Sequence, residues 1–233
     1  MKCAVEKLAI YVPPTAQVKD PAITDVIASL ATINSDIDVS WVKPMQRRRL
    51  SLFAKMALSC ANKVNIDAHA MPVVFSSRHG DLHKTSDLLE QLVEQQPLSP
   101  TQFGLSVHNA VSGLLSILTN NTAAVSAIAG GRSTFSSALI EAYLQLHSGD
   151  TERVLLLHVD RALPDIYAQY ADEEQVDHCV ALVLKKNINE HGYDLQELLD
   201  AQPEPSLSAL RFAHAAIHNQ SIDVGKWRWH YAQ

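Results

Sequence analysis

The chain has 233 residues, 47% of them hydrophobic, with a formal net charge of -6. That is enough apolar material for one substantial core or two small ones, and the scattered charges give no basic footprint for nucleic acid. No stretch reaches the roughly 18 apolar residues of a membrane helix, so neither a nucleic-acid partner nor a membrane span is expected.

In chain order, Ala4 to Val12 reads as an opening strand closed by Pro13-Pro14, too short an apolar run for a signal peptide. Pro21 to Leu30 predicts a short helix with Ile23, Val26, Ile27 and Leu30 on one side. Gln46 to Asn62 predicts a stronger one, apolar at Leu50, Phe53, Ala54, Ala57, Leu58 and Ala61, and headed by Arg47-Arg48-Arg49. Met71 to Ser76 is a strand, and Thr85 to Val93 a helix capped by Thr85 or Ser86. Three cysteines without paired spacing, Cys3, Cys60 and Cys179, argue against a disulfide framework or a cysteine zinc site and suit a reducing cytoplasm. His79/His83 and His214/His218 are spaced four apart, as two metal ligands on one helix face would be. Gly80 interrupts the first pair and no His-Glu-x-x-His arrangement accompanies the second, so no metal is expected.

The central stretch runs from Gln102 to Asp160. Val107, Ala110, Val111, Leu114, Leu115 and Leu118 place a helix over Ser106 to Leu118. Ala123 to Ala129 is short, small and apolar, as a strand covered on both faces would be. Gly130-Gly131-Arg132-Ser133-Thr134 then permits a tight turn before a second helix, Ser136 to His147, which stops at Gly149. Arg153 to Val159 is a buried strand. A strand running into a sharp elbow at a helix N-terminus is a favoured mounting for a nucleophile. Downstream, Asp160 to Asp177 is loop-like, His178 to Lys185 is a strand, and Ala209 to Ile217 a helix. The aromatic end, Trp227-Arg228-Trp229-His230-Tyr231, is expected to dock on the chain's own core or to face a partner.

From about Leu8 to about Lys186 the chain resembles the β-ketoacyl synthases. Asn109-Ala110-Val111-Ser112-Gly113 fits that family's Asn-x-x-Ala/Ser-Gly helix, and Ala142 and Gly149 fit the helix after its nucleophile elbow. Gln46 to Ser51 and Ala54 to Leu58 are similar to its basic-Leu-Ser segment and Met-Ala-rich face. The resemblance implies an α/β, thiolase-like fold, the N-terminal half of a synthase, with a mixed central sheet and helices on both faces. A single domain over 1–233 is expected. Counting back from Gly149 puts Arg132 where the family keeps its acyl-accepting cysteine, and Phe135 where it keeps a glycine. Arginine stays protonated and offers no lone pair, so it cannot form an acyl-enzyme. The His-Gly-Thr and Asn-His-x-Phe-Gly motifs that carry the family's two catalytic histidines are missing, and the chain ends after what would be the first half.

Within that family the chain resembles the small, N-terminal-domain-only proteins that look like chain-length factors of aryl polyene synthesis. This implies a non-catalytic subunit that forms a heterodimer with an active β-ketoacyl-ACP synthase and limits polyene or fatty acyl chain length. It implies no cofactor of its own; an acyl carrier protein would deliver a phosphopantetheine-borne chain to the partner. Pairing would use the strand before the elbow, through Ala123, Ala124, Val125, Ser126, Ala127 and Ile128; the same strand could instead be an ordinary central one. Leu105, Val107, His108 and Val111, with Thr134 and Phe135 near the elbow, are the candidates for the end of the partner's acyl tunnel, where shrinking Leu105 or Phe135 is expected to lengthen products. Arg132 is expected to pair with Glu141 or a backbone carbonyl, or else to orient the partner or a carrier group. Arg47 to Arg49 read either as a solvated helix start or as a contact for phosphopantetheine or an acidic carrier. Two other classes stay open: a purely stabilising scaffold, and an independent decarboxylase or acyltransferase using Ser133 or Thr134 with a base such as His108.

Overall fold

A computed structural model describes residues 2–33, 36–64, 71–149, 151–187, 191–200 and 202–232. Strands β1 (Lys2–Tyr11), β2 (Val73–Ser76), β3 (Val125–Ile128), β4 (Arg153–Asp160), β5 (His178–Asn187), β6 (Gly192–Glu197), β7 (Ile222–Val224) and β8 (Trp227–Ala232) form one sheet in the order β3-β2-β4-β5-β1-β6-β8-β7. β2 runs parallel to β3 and β4, while β4, β5, β1, β6, β8 and β7 pair antiparallel in turn. The sheet is therefore mixed, as the resemblance implied.

Helices cover both of its faces. Strand side chains alternate between faces, so Val154 and Leu156 of β4 and Val180, Leu182 and Leu184 of β5 meet one cluster. Helices α1 (Pro21–Ala31), α7 (Thr134–Ser148) and α8 (Ser208–Ile217) supply its other side. Leu155, Leu157, Ala181 and Val183 point the opposite way, against α3 (Leu52–Lys63) and α6 (Ala110–Thr119). Each fully buried aliphatic side chain contributes about 1.5–3 kcal/mol, and Val154 to Leu157 of β4 are all fully buried.

Several expected boundaries move. The helix predicted over Gln46 to Asn62 is two pieces, α2 (Pro44–Arg47) and α3, because Ser51 leaves helical geometry and its hydroxyl accepts from Ala54 N at 3.2 Å. Capping of α4 (Leu82–Val93) falls to Asp81, whose carboxylate accepts from Lys84 N, and not to Thr85 or Ser86. The helix predicted from Ser106 starts at Ala110, preceded by the short α5 (Pro100–Gly104) and a turn. Strand β3 is not covered on both faces: it is the sheet edge, with Val125 and Ala127 exposed. The aromatic terminus does dock on the core. Trp229 of β8 is fully buried, edge-on to Tyr143 and Phe212.

Candidate functional site

The elbow forms where β3 ends and α7 begins. Gly131 adopts φ +60°, a backbone that side chains other than glycine rarely tolerate. A 3₁₀ turn over Gly131–Ser133 follows. Thr134 locks it: its hydroxyl donates to Gly131 O at 2.7 Å and accepts from Gly130 N at 2.9 Å. Arg132 projects from this turn, exposed, and donates to the backbone carbonyl of Asp172 at 3.0 Å. Of the two expected partners it takes the carbonyl. Glu141 instead accepts from Gln145 at 2.7 Å.

Asp172 belongs to the loop between β4 and β5, which is clasped over the elbow. Arg78, just past β2, pairs with Asp172 at 3.0 Å and with Glu173. Arg161 pairs with Asp177 at 3.0 Å. The hydrogen bond to Asp172 is the main reason that the Arg78 guanidinium is pushed above its ordinary range.

Beneath the clasp lies a polar cluster set by strand register. Ser76 and His158 are paired positions on β2 and β4, and Ser76 Oγ lies 2.9 Å from His158 Nδ1. His158 Nε2 is 3.4 Å from Asp160 Oδ2. Asp160 also accepts from Ser77 Oγ at 2.8 Å and Arg78 N at 2.9 Å. Burial pushes Asp160 up to about 7, against those hydrogen bonds, which favour the carboxylate. Burial, then the neighbouring His178, pushes His158 well below the usual imidazole range. The His158–Asp160 contact is thus a polar contact of a neutral imidazole, not a fixed ion pair. His178 Nδ1 donates to Val176 O at 2.8 Å, and its Nε2 has no partner among the described residues. Although serine, histidine and aspartate line up here, Ser76 is wholly buried, so the row has no accessible nucleophile. A small cleft opens over His158, Asp160, His178, Thr134 and Phe135.

Glu204 supports the elbow from below. It accepts from Ser136 N at 3.3 Å, from Ser136 Oγ, and from Ser208 Oγ at 2.6 Å, tying the first turns of α7 and α8 together. Nothing in the sequence pattern singles it out.

The six tunnel candidates do not gather in one place. Phe135 and Thr134 belong to the elbow; Phe135 is only 2% exposed and packs on His158 and Phe212. Leu105 and Val111 lie on the opposite face of the sheet, in a narrow apolar slot shared with Leu50, Ala54, Ala110 and Leu114. Next to it runs an open groove whose rim includes Arg48, Arg49 and Lys84. Val107 is exposed. His108 donates its Nε2 proton to Ser77 O at 2.8 Å and packs edge-on against Phe75, so that nitrogen is no base for Ser133. The interface candidates Val125 to Ile128 are strand β3, with Ala123 and Ala124 leading into it. All three cysteines are free and buried; burial pushes Cys3 up to about 12 and Cys179 well above its ordinary value. No helix among the described residues is long and apolar enough to cross a membrane.

The family profile described as "Beta-ketoacyl synthase, N-terminal domain" matches residues 24–231. No curated protein matches the chain in sequence. Among solved structures, a ketosynthase (ApeO) in complex with its chain length factor (ApeC) from Xenorhabdus doucetiae aligns over 100% of both chains, with TM-score 0.74 and 24% identity. The ishigamide ketosynthase/chain length factor aligns over 86% of this chain and 68% of that one, with TM-score 0.59 and 13% identity. A type II PKS acyl-carrier protein in complex with its ketosynthase (AntDE:AntF) aligns over 80% and 62%, with TM-score 0.57 and 13% identity. At these identities the likeness is one of fold.

Proposed function

This chain belongs to the β-ketoacyl synthase family, and we propose that within it the chain is a non-catalytic, chain-length-factor-like subunit. It would pair with an active β-ketoacyl-ACP synthase and limit the length of the polyene or fatty acyl chain that the synthase builds. The observation that carries this reading is Arg132. The elbow geometry is intact, yet its tip bears a guanidinium bonded to the Asp172 carbonyl, and no thiol is near it in sequence. Such a group cannot attack a thioester. Two of the similar structures bear names that pair a ketosynthase with a chain length factor, and the chain matched in the first is spanned completely by this one.

The edge strand β3 supports the pairing. Ala124 O and Ile128 O accept hydrogen bonds from β2, at 3.0 and 3.3 Å. Even-numbered β3 residues thus face inward, and Val125 and Ala127 present their N–H and C=O groups outward. A partner strand laid along that edge would satisfy them. The Arg48, Arg49 and Lys84 rim suits a phosphate or an acidic carrier surface, because arginine binds both bidentately. For chain length the lever is volume: a two-carbon unit that collides with a packed wall costs about 1–3 kcal/mol. Leu105 is the better lever, since truncating buried Phe135 would cost about 3–5 kcal/mol of fold stability.

The test is reconstitution with the synthase that co-purifies with this chain. The chain alone should neither retain an acyl group nor condense malonyl units, while the pair should do so. Leu105→Ala in the pair should shift the product mass upward by at least one two-carbon unit. Unchanged product length would reduce the subunit to a stabilising scaffold, and an acyl group trapped covalently on this chain would overturn the reading.

A further inference from the structure

Helix α8 carries a pair of side chains that the elbow does not use. His214 and His218 lie one turn apart on the same face, with ring centroids 4.5 Å apart and planes inclined by 57°. His214 lies in the last turn and His218 at the C-cap. His218 is exposed and His214 half-buried, so solvent reaches the pair. Partial burial, then the His218 ring, pushes His214 below the ordinary imidazole range. The negative end of the helix dipole lies at this terminus, which favours an added cation.

We propose that His214 and His218 form a two-imidazole chelate for a borderline divalent cation, with Cu²⁺ preferred and water filling the remaining positions. The donor set decides the class. Imidazole nitrogen suits copper, nickel and zinc, whereas calcium and magnesium demand oxygen ligands. No group of three or more histidine, cysteine, aspartate or glutamate side chains that could hold a metal is found among the described residues. Two protein ligands are too few for a closed structural zinc site, so the bound ion is exchangeable, and Cu²⁺ stands at the top of the divalent affinity order. The site is also compatible with assembly. Helix α8 packs over β1, β5 and β7, whereas β3 is the opposite edge of the sheet.

Titrating the full chain with Cu²⁺ and recording its electron paramagnetic resonance spectrum tests the assignment. One equivalent should bind with hyperfine structure from two nitrogens, and Mg²⁺ should not compete. His214→Gln and His218→Gln should each weaken binding at least tenfold while thermal melting in the absence of metal stays within a few degrees. His83→Gln, which alters the other four-spaced pair, should leave binding unchanged. Wild-type affinity in both α8 variants, or a loss that follows His83 instead, would overturn the site.

Discussion

Glu204 bonds to two helix N-termini without a cation beside it, and that choice has a measurable cost. Burial raises its carboxyl above the ordinary value of 4.5, only partly offset by hydrogen bonds from Ser136 and Ser208. A carboxyl whose folded-state value exceeds its unfolded one favours the fold most below the unfolded value. The advantage is lost as pH rises through the folded value. Glutamine keeps the shape: its carbonyl accepts from Ser136 N and Ser208 Oγ, and its amide donates to Ser136 Oγ, whose proton goes to Ser133 O. Urea unfolding from pH 4 to pH 7 should therefore show Glu204→Gln gaining on the wild type as pH rises. Glu204→Ala should lose about 2–3 kcal/mol, because it strands two buried donors, Ser136 N and Ser208 Oγ. At this scale the sequence was partly legible. Arg132 could be found by counting back from Gly149, but the Ser76–His158–Asp160 row could not, because it depends on β2 lying beside β4 and periodicity does not say which strands are neighbours.

Among the elements, β3 offers the sharpest test of the proposed pairing. Ala127 faces outward with its amide, so Ala127→Pro removes a donor that the sheet itself does not use, and proline is tolerated on edges. Ala127→Lys leaves the backbone intact and places a charge on the edge. Both variants should melt within a few degrees of the wild type, yet lose co-elution with the synthase in size-exclusion chromatography. Two variants that co-elute normally would remove β3 from the interface. The strand's position at the edge was not readable beforehand, since small apolar residues suit a covered strand and a contact edge equally well. The break at Ser51 was missed for another reason: apolar spacing carries across it, and only the cap interrupts the helix. Strands β6 and β7 escaped because they are short, six and three residues, so the alternation of Tyr193-Asp194-Leu195-Gln196 and Ile222-Asp223-Val224 runs over too few positions to stand out.

For the whole molecule, a sheet covered on both faces explains why the middle of the chain was the most legible. Strands β4 and β5 carry apolar runs, Val154 to Leu157 and Cys179 to Leu184, because neither face meets water there, whereas the C-terminal hairpin shows only its aromatic residues. Trp229 then links the last strand to α7 and α8 through Tyr143 and Phe212. The same closed interior shelters every sulfur atom of the cysteines. Iodoacetamide added to the assembled pair in native buffer should thus alkylate the companion subunit alone. Intact-mass spectrometry would then count free, unacylated thiols on that companion without any background to subtract, and an adduct on this chain would report that its sheet had opened.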